Sequence, residues 1–267
     1  VLGSRGLGDL YKRQFYGYKT LGLYQVEDFD YNAKDQTYTL KEGIPYMSGT
    51  FNRSDIRPGM WKFDDRNGDK VIDDSDMSVI GNANPDFYGG LNNQFKYKGW
   101  DFNFFFTFSY GGEVLNATKL TNTKTATTNY SVLNIADSSN RWMTVNSEGQ
   151  LITDPEEMAA INAGRTVACI YDMEAGDKYI HSWAVEDASY LRLSNVNLGY
   201  TFDRKKLRNF NIQSLRLYFT GSNLFVWTPY SGFDPEVSTK GNNLTPGVDY
   251  GAYPRNRSYV FGLNITF

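Results

Sequence analysis

Residues 100–110 alternate with period two: Trp100, Phe102, Phe104, Phe106, Phe108 and Tyr110 share one phase, and Asp101, Asn103, Phe105, Thr107 and Ser109 the other. Successive side chains of a strand point to opposite faces, so this run predicts a β-strand with one aromatic and one mostly polar face. Four further stretches keep the same period, at 87–97, 190–202, 214–225 and 258–267. Strands of ordinary globular sheets average about 5–6 residues, whereas strands tilted across a bilayer need about 9–11. The pattern predicts an all-β chain, part of an antiparallel transmembrane β-barrel with aromatics toward lipid and amides and charges toward a wet lumen.

The connections alternate in length. Lys98-Gly99 is a two-residue turn. Residues 111–188 form a long stretch without sustained period two, 203–213 a short connection carrying Arg204, Lys205, Lys206 and Arg208, and 226–257 a second long loop. Short turns on one rim and long loops on the other are the habit of outer-membrane barrels, and Tyr97 and Trp100 flank the first short turn as girdle aromatics do. Within 190–202 the apolar phase switches near Asn195, from Leu191 and Leu193 to Val196, Leu198 and Tyr200. That predicts a bulge or a strand whose upper part leaves the membrane. Residues 155–161 predict a short helix capped by Asp154.

Composition narrows the picture. Aromatics are 16% of the 267 residues, yet mean hydropathy is −0.51, which fits alternating strands between long wet loops. No stretch of about 18 apolar residues exists to make a helical span. A net charge of −3 gives no basic field for nucleic acid. Cys169 is the single cysteine, so no internal disulfide forms. His181, the single histidine, is expected in a loop and leaves no His-based catalysis or His-rich metal site. Glu186-Asp187 lacks a nearby nucleophile and reads as a strand-entry turn, so no catalysis is expected. No secretory signal opens the chain, although an outer-membrane protein needs one; the sequence is therefore expected to be a fragment or a mature segment. Residues 1–14 (VLGSRGLGDLYKRQ) read as translated linker or adapter sequence.

Two groups of residues invite chemistry. The run from Asp65 to Asp76 reads D-x-N-x-D-x-x-I-D-x-x-D, the spacing of a twelve-residue calcium loop. Asp65, Asn67 and Asp69 would turn inward, Val71 would lend its carbonyl, Asp73 would ligate directly or through water, and Asp76 would close the site around Ca²⁺. Ile72 would anchor the loop to a core. Lys70 stands where the helix–loop–helix type has Gly, and Asp76 where it has Glu. The alternative is a solvated acidic turn. The second group is Trp227, Tyr230, Phe233, Asp234, Tyr250 and Tyr253, aromatic faces with polar neighbours of the kind that bind sugars or peptides. The alternative is an interfacial belt or loop packing.

Longer motifs carry a family likeness. SWAVEDASYLRLSNVNLGYTF (182–202), LRLYFTGSNLFVWTPYSGFDPEV (215–237) and GVDYGAYPRNRSYVFGLNITF (247–267) resemble SusC/RagA-type TonB-dependent outer-membrane transporters, as do FYGYKTLGLYQ (15–25) and VIGNANPDFYGGLNNQFKYKGWDFNFFF (79–106). The resemblance implies a barrel of about 22 strands with a plug in its lumen. The five strands here would be the last five, with plug and TonB-contact segment upstream. Residues 15–86 would then be an extracellular loop region containing the calcium-type loop, and 87–267 the C-terminal barrel strands and loops. The implied function is TonB-dependent import of glycans or peptides across a Gram-negative outer membrane, together with a SusD-like surface lipoprotein. One rival is a soluble, calcium-dependent carbohydrate-binding β-domain, whose phenylalanines would face a second sheet. A barrel enzyme of the outer membrane is the other, and the lone histidine argues against it.

Overall fold

A computed structural model describes residues 13–48, 51–123, 132–169, 179–207, 211–237 and 247–267. Residues 1–12 of the linker expected over 1–14, Arg208 and residues 238–246 of the second long loop lie outside the described residues, while Gln14 opens a short strand, Gln14–Gly17. The chain divides into two compact units. One holds residues 1–81, 115–185 and 249–251, the other 82–114, 186–248 and 252–267.

The second unit contains a five-stranded antiparallel meander: β1 (Phe87–Tyr97), β2 (Trp100–Tyr110), β3 (Tyr190–Thr201), β4 (Ser214–Trp227) and β5 (Ser258–Thr266). Each strand pairs with its sequence neighbours, β2 with β1 and β3, β4 with β3 and β5. Registry aligns the apolar phases. Phe102 lies opposite Phe95 and Leu198, Leu198 opposite Phe219, and Phe219 opposite Phe261. One face is therefore mainly aromatic and aliphatic across all five strands, interrupted by Gly89 and Asn93 on β1 and Gly221 on β4. This face is also exposed: Phe95 is 56%, Leu217 46%, Phe261 79% and Leu263 54% accessible. Water would penalise this surface, and a hydrocarbon solvent would not.

The phase switch near Asn195 is a bulge. Pairing jumps from Leu193 to Asn195 against both neighbours, leaving Ser194 as the extra residue on β3. On β4 the same step skips Asn223, whose φ is 53°, and Leu224. The extra residues return Leu191 and Leu193 to the face of Val196 and Leu198, so the apolar surface continues past the irregularity.

The first unit is built from stretches without period two, yet it has its own core. Tyr18, Leu23, Tyr24, Phe29, Trp61, Phe63, Ile72, Trp142 and Ile152 are all buried in one cluster. His181, expected in a loop, is fully buried and sits between Trp61 (4.8 Å) and Phe63 (5.4 Å), with Nδ1 2.9 Å from Thr20 Oγ1. The expected helix is present as Pro155–Asn162, and Asp154 Oδ1 accepts the Glu157 N–H at 2.9 Å. Gly59 is packed closely against this core. Its φ is +86°, and a Cβ there would lie 2.3 Å from the Trp142 ring. Gly59→Ala combines left-handed backbone strain with overpacking and is expected to lose about 1–3 kcal/mol. Limited proteolysis of the first unit, wild type against variant, measures the loss.

Candidate functional site

The polar face of the meander is tied together by side chains. Asn103 donates to Asn92 (3.0 Å), Thr220 to Asn197 (2.7 Å) and Asn197 to Asn195 (2.6 Å), while Thr107 and Ser194 hydroxyls lie 2.7 Å apart. Phe105, the one aromatic in this phase of β2, fits because its neighbour is Gly90: a Cβ there would stand 2.8 Å from the ring. Arg216 on β4 reaches Asp101 on β2 at 2.6 Å, across the intervening β3. It passes over Gly199, whose missing side chain leaves the room; a Cβ there would be 2.5 Å from Asp101 and 2.6 Å from Arg216. Amides, hydroxyls and a half-exposed ion pair make a wall suited to water and polar solutes.

At the long-loop end, residues 228–237 are fixed to the start of β3. Arg192 is 3% exposed and its guanidinium lies 2.6 Å from Asp234 and 2.9 Å from Glu236. Glu236 also pairs with Arg255 at 3.0 Å. Glu186 accepts from the Ser231 N–H and hydroxyl, both at 2.9 Å, and Thr228 donates to the Ser189 carbonyl at 2.8 Å. Tyr230 is buried with Val114, Ala188 and Val237. Of the aromatic candidates, Trp227 and Phe233 are exposed, at 53% and 78%, while Tyr230 and Asp234 are taken up in this packing. Tyr250 belongs to the first unit and Tyr253, 87% exposed, to the second, so the six residues do not assemble into one site within either unit. Sequence reading missed Arg192, Glu236 and Arg255; the one available signal was Arg192 as the single charged residue of its strand.

The acidic loop folds as a ladder of side chain to backbone bonds. Asp65 accepts from the N–H groups of Gly68 (2.7 Å) and Lys70 (2.8 Å), Asn67 from Asp69, and Asp69 from Val71. Asp73 accepts from the Ser75 hydroxyl (2.6 Å) and amide (2.8 Å), which hold its carboxyl below the usual range. Asp76 is fully buried and accepts from Arg66 and Asp73 N–H groups. Gly68 and Lys70 both take positive φ, 78° and 69°, so the left-handed turn forms without Gly at the second position. Ile72 is 1% exposed in the first unit's core, the position expected for an anchor. Among the described residues, no group of three or more His, Cys, Asp or Glu side chains is gathered as a metal cage. The loop is pre-shaped, but its carboxylates serve the backbone; an oxygen that accepts one N–H keeps a lone pair for a cation.

No family model matches the chain. It is similar to TonB-dependent receptor P3 of Formosa agariphila, 34% identical over 95% of this chain and 22% of that protein. TonB-dependent receptor P39 of the same organism is 30% identical over 94% of this chain and 25% of its own length. TonB-dependent receptor SusC of Bacteroides thetaiotaomicron is 29% identical over 77% and 17%. A solved structure of the RagAB peptide transporter superposes with a TM-score of 0.59 at 18% identity, over 95% of this chain and 23% of that one, a likeness of fold. The chain thus spans about a quarter or less of the length of these relatives.

Proposed function

We propose, from the premise that the chain is a SusC/RagA-like TonB-dependent receptor segment, that it supplies wall, lumen lining and outer loops to an outer-membrane nutrient importer. The imported material would be a glycan or a peptide. The observation that carries this reading is the mainly apolar face shared by five long strands, with exposed large apolar residues on each of them. Its height fits. An 11-residue strand such as β2 is roughly 34 Å long at about 3.4 Å per residue, or about 25 Å when tilted by ~40–45°. That matches the apolar band of an outer-membrane barrel. Girdle aromatics mark both ends: Tyr97, Trp100 and Tyr200 at the short-turn end, Phe87, Tyr110 and Trp227 at the other. The free edges of β1 and β5 call for further strands, because unpaired backbone is not tolerated in lipid.

In this reading the polar wall lines the passage, a SusD-like surface lipoprotein lids it, and TonB supplies energy through a plug. The reading gives the wall a role in transport, without catalysis. The test is a deletion strain grown on separate glycans and peptides as sole nutrient, with the receptor located by membrane fractionation. Loss of growth on one class with the receptor in the outer membrane supports the proposal. Recovery of the receptor in the aqueous fraction overturns it.

We also propose that the acidic loop takes Ca²⁺ through Asp65, Asn67, Asp69, Val71, Asp73 and Asp76. Support comes from hard-oxygen donors at calcium-loop spacing on a turn already left-handed at Gly68 and Lys70. Isothermal titration of the intact receptor with Ca²⁺ is expected to show one binding heat that Asp69→Ala weakens at least tenfold. Absence of heat in the wild type, or an unchanged Asp69→Ala titration, removes the ion from the account.

A further inference from the structure

The rim at the short-turn end gathers cations on a chain that is acidic overall, with a net charge of −3. Lys98 forms the β1–β2 turn with Gly99, and both take positive φ, 46° and 90°. Such a turn prefers Asn or Gly at its first central position, so lysine occupies a place where its backbone is under strain. Its ammonium folds over the face of Tyr97, 5.1 Å from the ring centre. Tyr97 belongs to the apolar face and is 68% exposed, next in register to Trp100, whose ring is 4.7 Å from that of Tyr200. The turn is joined to the end of β3 by the Thr201 N–H bond to the Gly99 carbonyl at 2.8 Å. Just beyond, the helical turn Arg204–Leu207 exposes Arg204 and Lys205, capped by Asp203. Lys96 and Arg216 belong to the opposite, polar face, beside Asp101.

We propose that Lys98, Arg204 and Lys205 form a headgroup site for anionic phospholipid in the leaflet at the short-turn side. Aromatic rings on a lipid-facing strand end lie at headgroup height. Cations displayed at that height face phosphates, and juxtaposed basic residues attract anionic headgroups. Charge complementarity favours a phosphatidylglycerol-type headgroup over a zwitterionic one, because the latter brings its own ammonium. This rests on the barrel reading above.

The test is native mass spectrometry of the full-length receptor extracted from outer membranes and exchanged into mixed micelles of phosphatidylglycerol and phosphatidylethanolamine. Heat-modifiable migration, checked first, reports an intact barrel; its absence in the wild type would strike the barrel reading instead. With the barrel intact, the wild type is expected to retain phosphatidylglycerol preferentially. The triple variant Lys98→Gln/Arg204→Gln/Lys205→Gln is expected to lose that preference at least fivefold, and Lys98→Arg to keep it. Equal retention of both lipids by the wild type, or an undiminished preference in the triple variant with its barrel intact, overturns the proposal.

Discussion

Arg in place of Phe104 is expected to cost the barrel about 2–4 kcal/mol, the penalty for a cation at mid-membrane depth on the lipid side of a strand. Phe104 sits at the middle of β2, opposite Asn93 on β1 and Val196 on β3, in the apolar phase. Asn103→Arg, one residue away, places the same charge on the polar face beside Asn92 and Asn197 and is expected to change stability by less than about 1 kcal/mol. The pair isolates the face, because strand, depth and introduced side chain are the same. Urea titration of the full-length receptor folded into phospholipid vesicles, followed by heat-modifiable migration, measures both. Comparable losses for the two variants would mean that both faces of the sheet meet the same solvent. A soluble sandwich gives a third pattern, in which Phe104→Arg prevents folding even without lipid.

How much of this was legible beforehand divides along the two units. The strands of the meander could be read because burial is replaced by a solvent boundary: each position faces lipid or lumen, and period two records that choice directly. Even the bulge left a trace, since restoring the apolar face after Ser194 requires the phase of the sequence to slip. The first unit's core left almost none, although its helix Pro155–Asn162 and the Asp154 cap were readable. Tyr18, Trp61, Trp142 and His181 meet from segments far apart in sequence, on backbone too irregular to impose a period. A buried histidine and an exposed one look alike when neighbours along the chain are not neighbours in space. The acidic loop is an intermediate case. Its spacing was readable, and so was Ile72 as an anchor, but which atoms the carboxylates face is set by backbone N–H groups that spacing does not reveal. In the rim loop 228–237, residue types that suit a binding surface or loop packing equally do not reveal that Tyr230 and Asp234 are spent on packing and on Arg192.

That arginine should be the most sensitive polar position in the second unit. Arg192→Met is expected to destabilise it by about 3–5 kcal/mol, because removing the cation leaves Asp234 buried and charged without its ion partner and Glu236 with one cation fewer. Asp234 is 3% exposed and keeps the Glu236 N–H, while Glu236 keeps the half-exposed Arg255 as an ion partner and the Tyr190 hydroxyl as a hydrogen-bond donor. The methionine retains most of the arginine stem's packing. The loss therefore comes from the stranded carboxylates, not from lost volume. The triple variant Arg192→Met/Asp234→Asn/Glu236→Gln removes those charges as well and is expected to recover more than half of the deficit. Non-additivity of this kind is the signature of a shared network. If the triple variant is as unstable as the single one, the stem and its steric fit hold the loop, and the charges are incidental. Hydrogen exchange of residues 228–237 locates the effect: protection should fall in the single variant and return in the triple, while β1 and β2 remain protected in both. The rim loop would then be a rigid extension of β3, held by charge at the point where the barrel wall gives way to the loops above it.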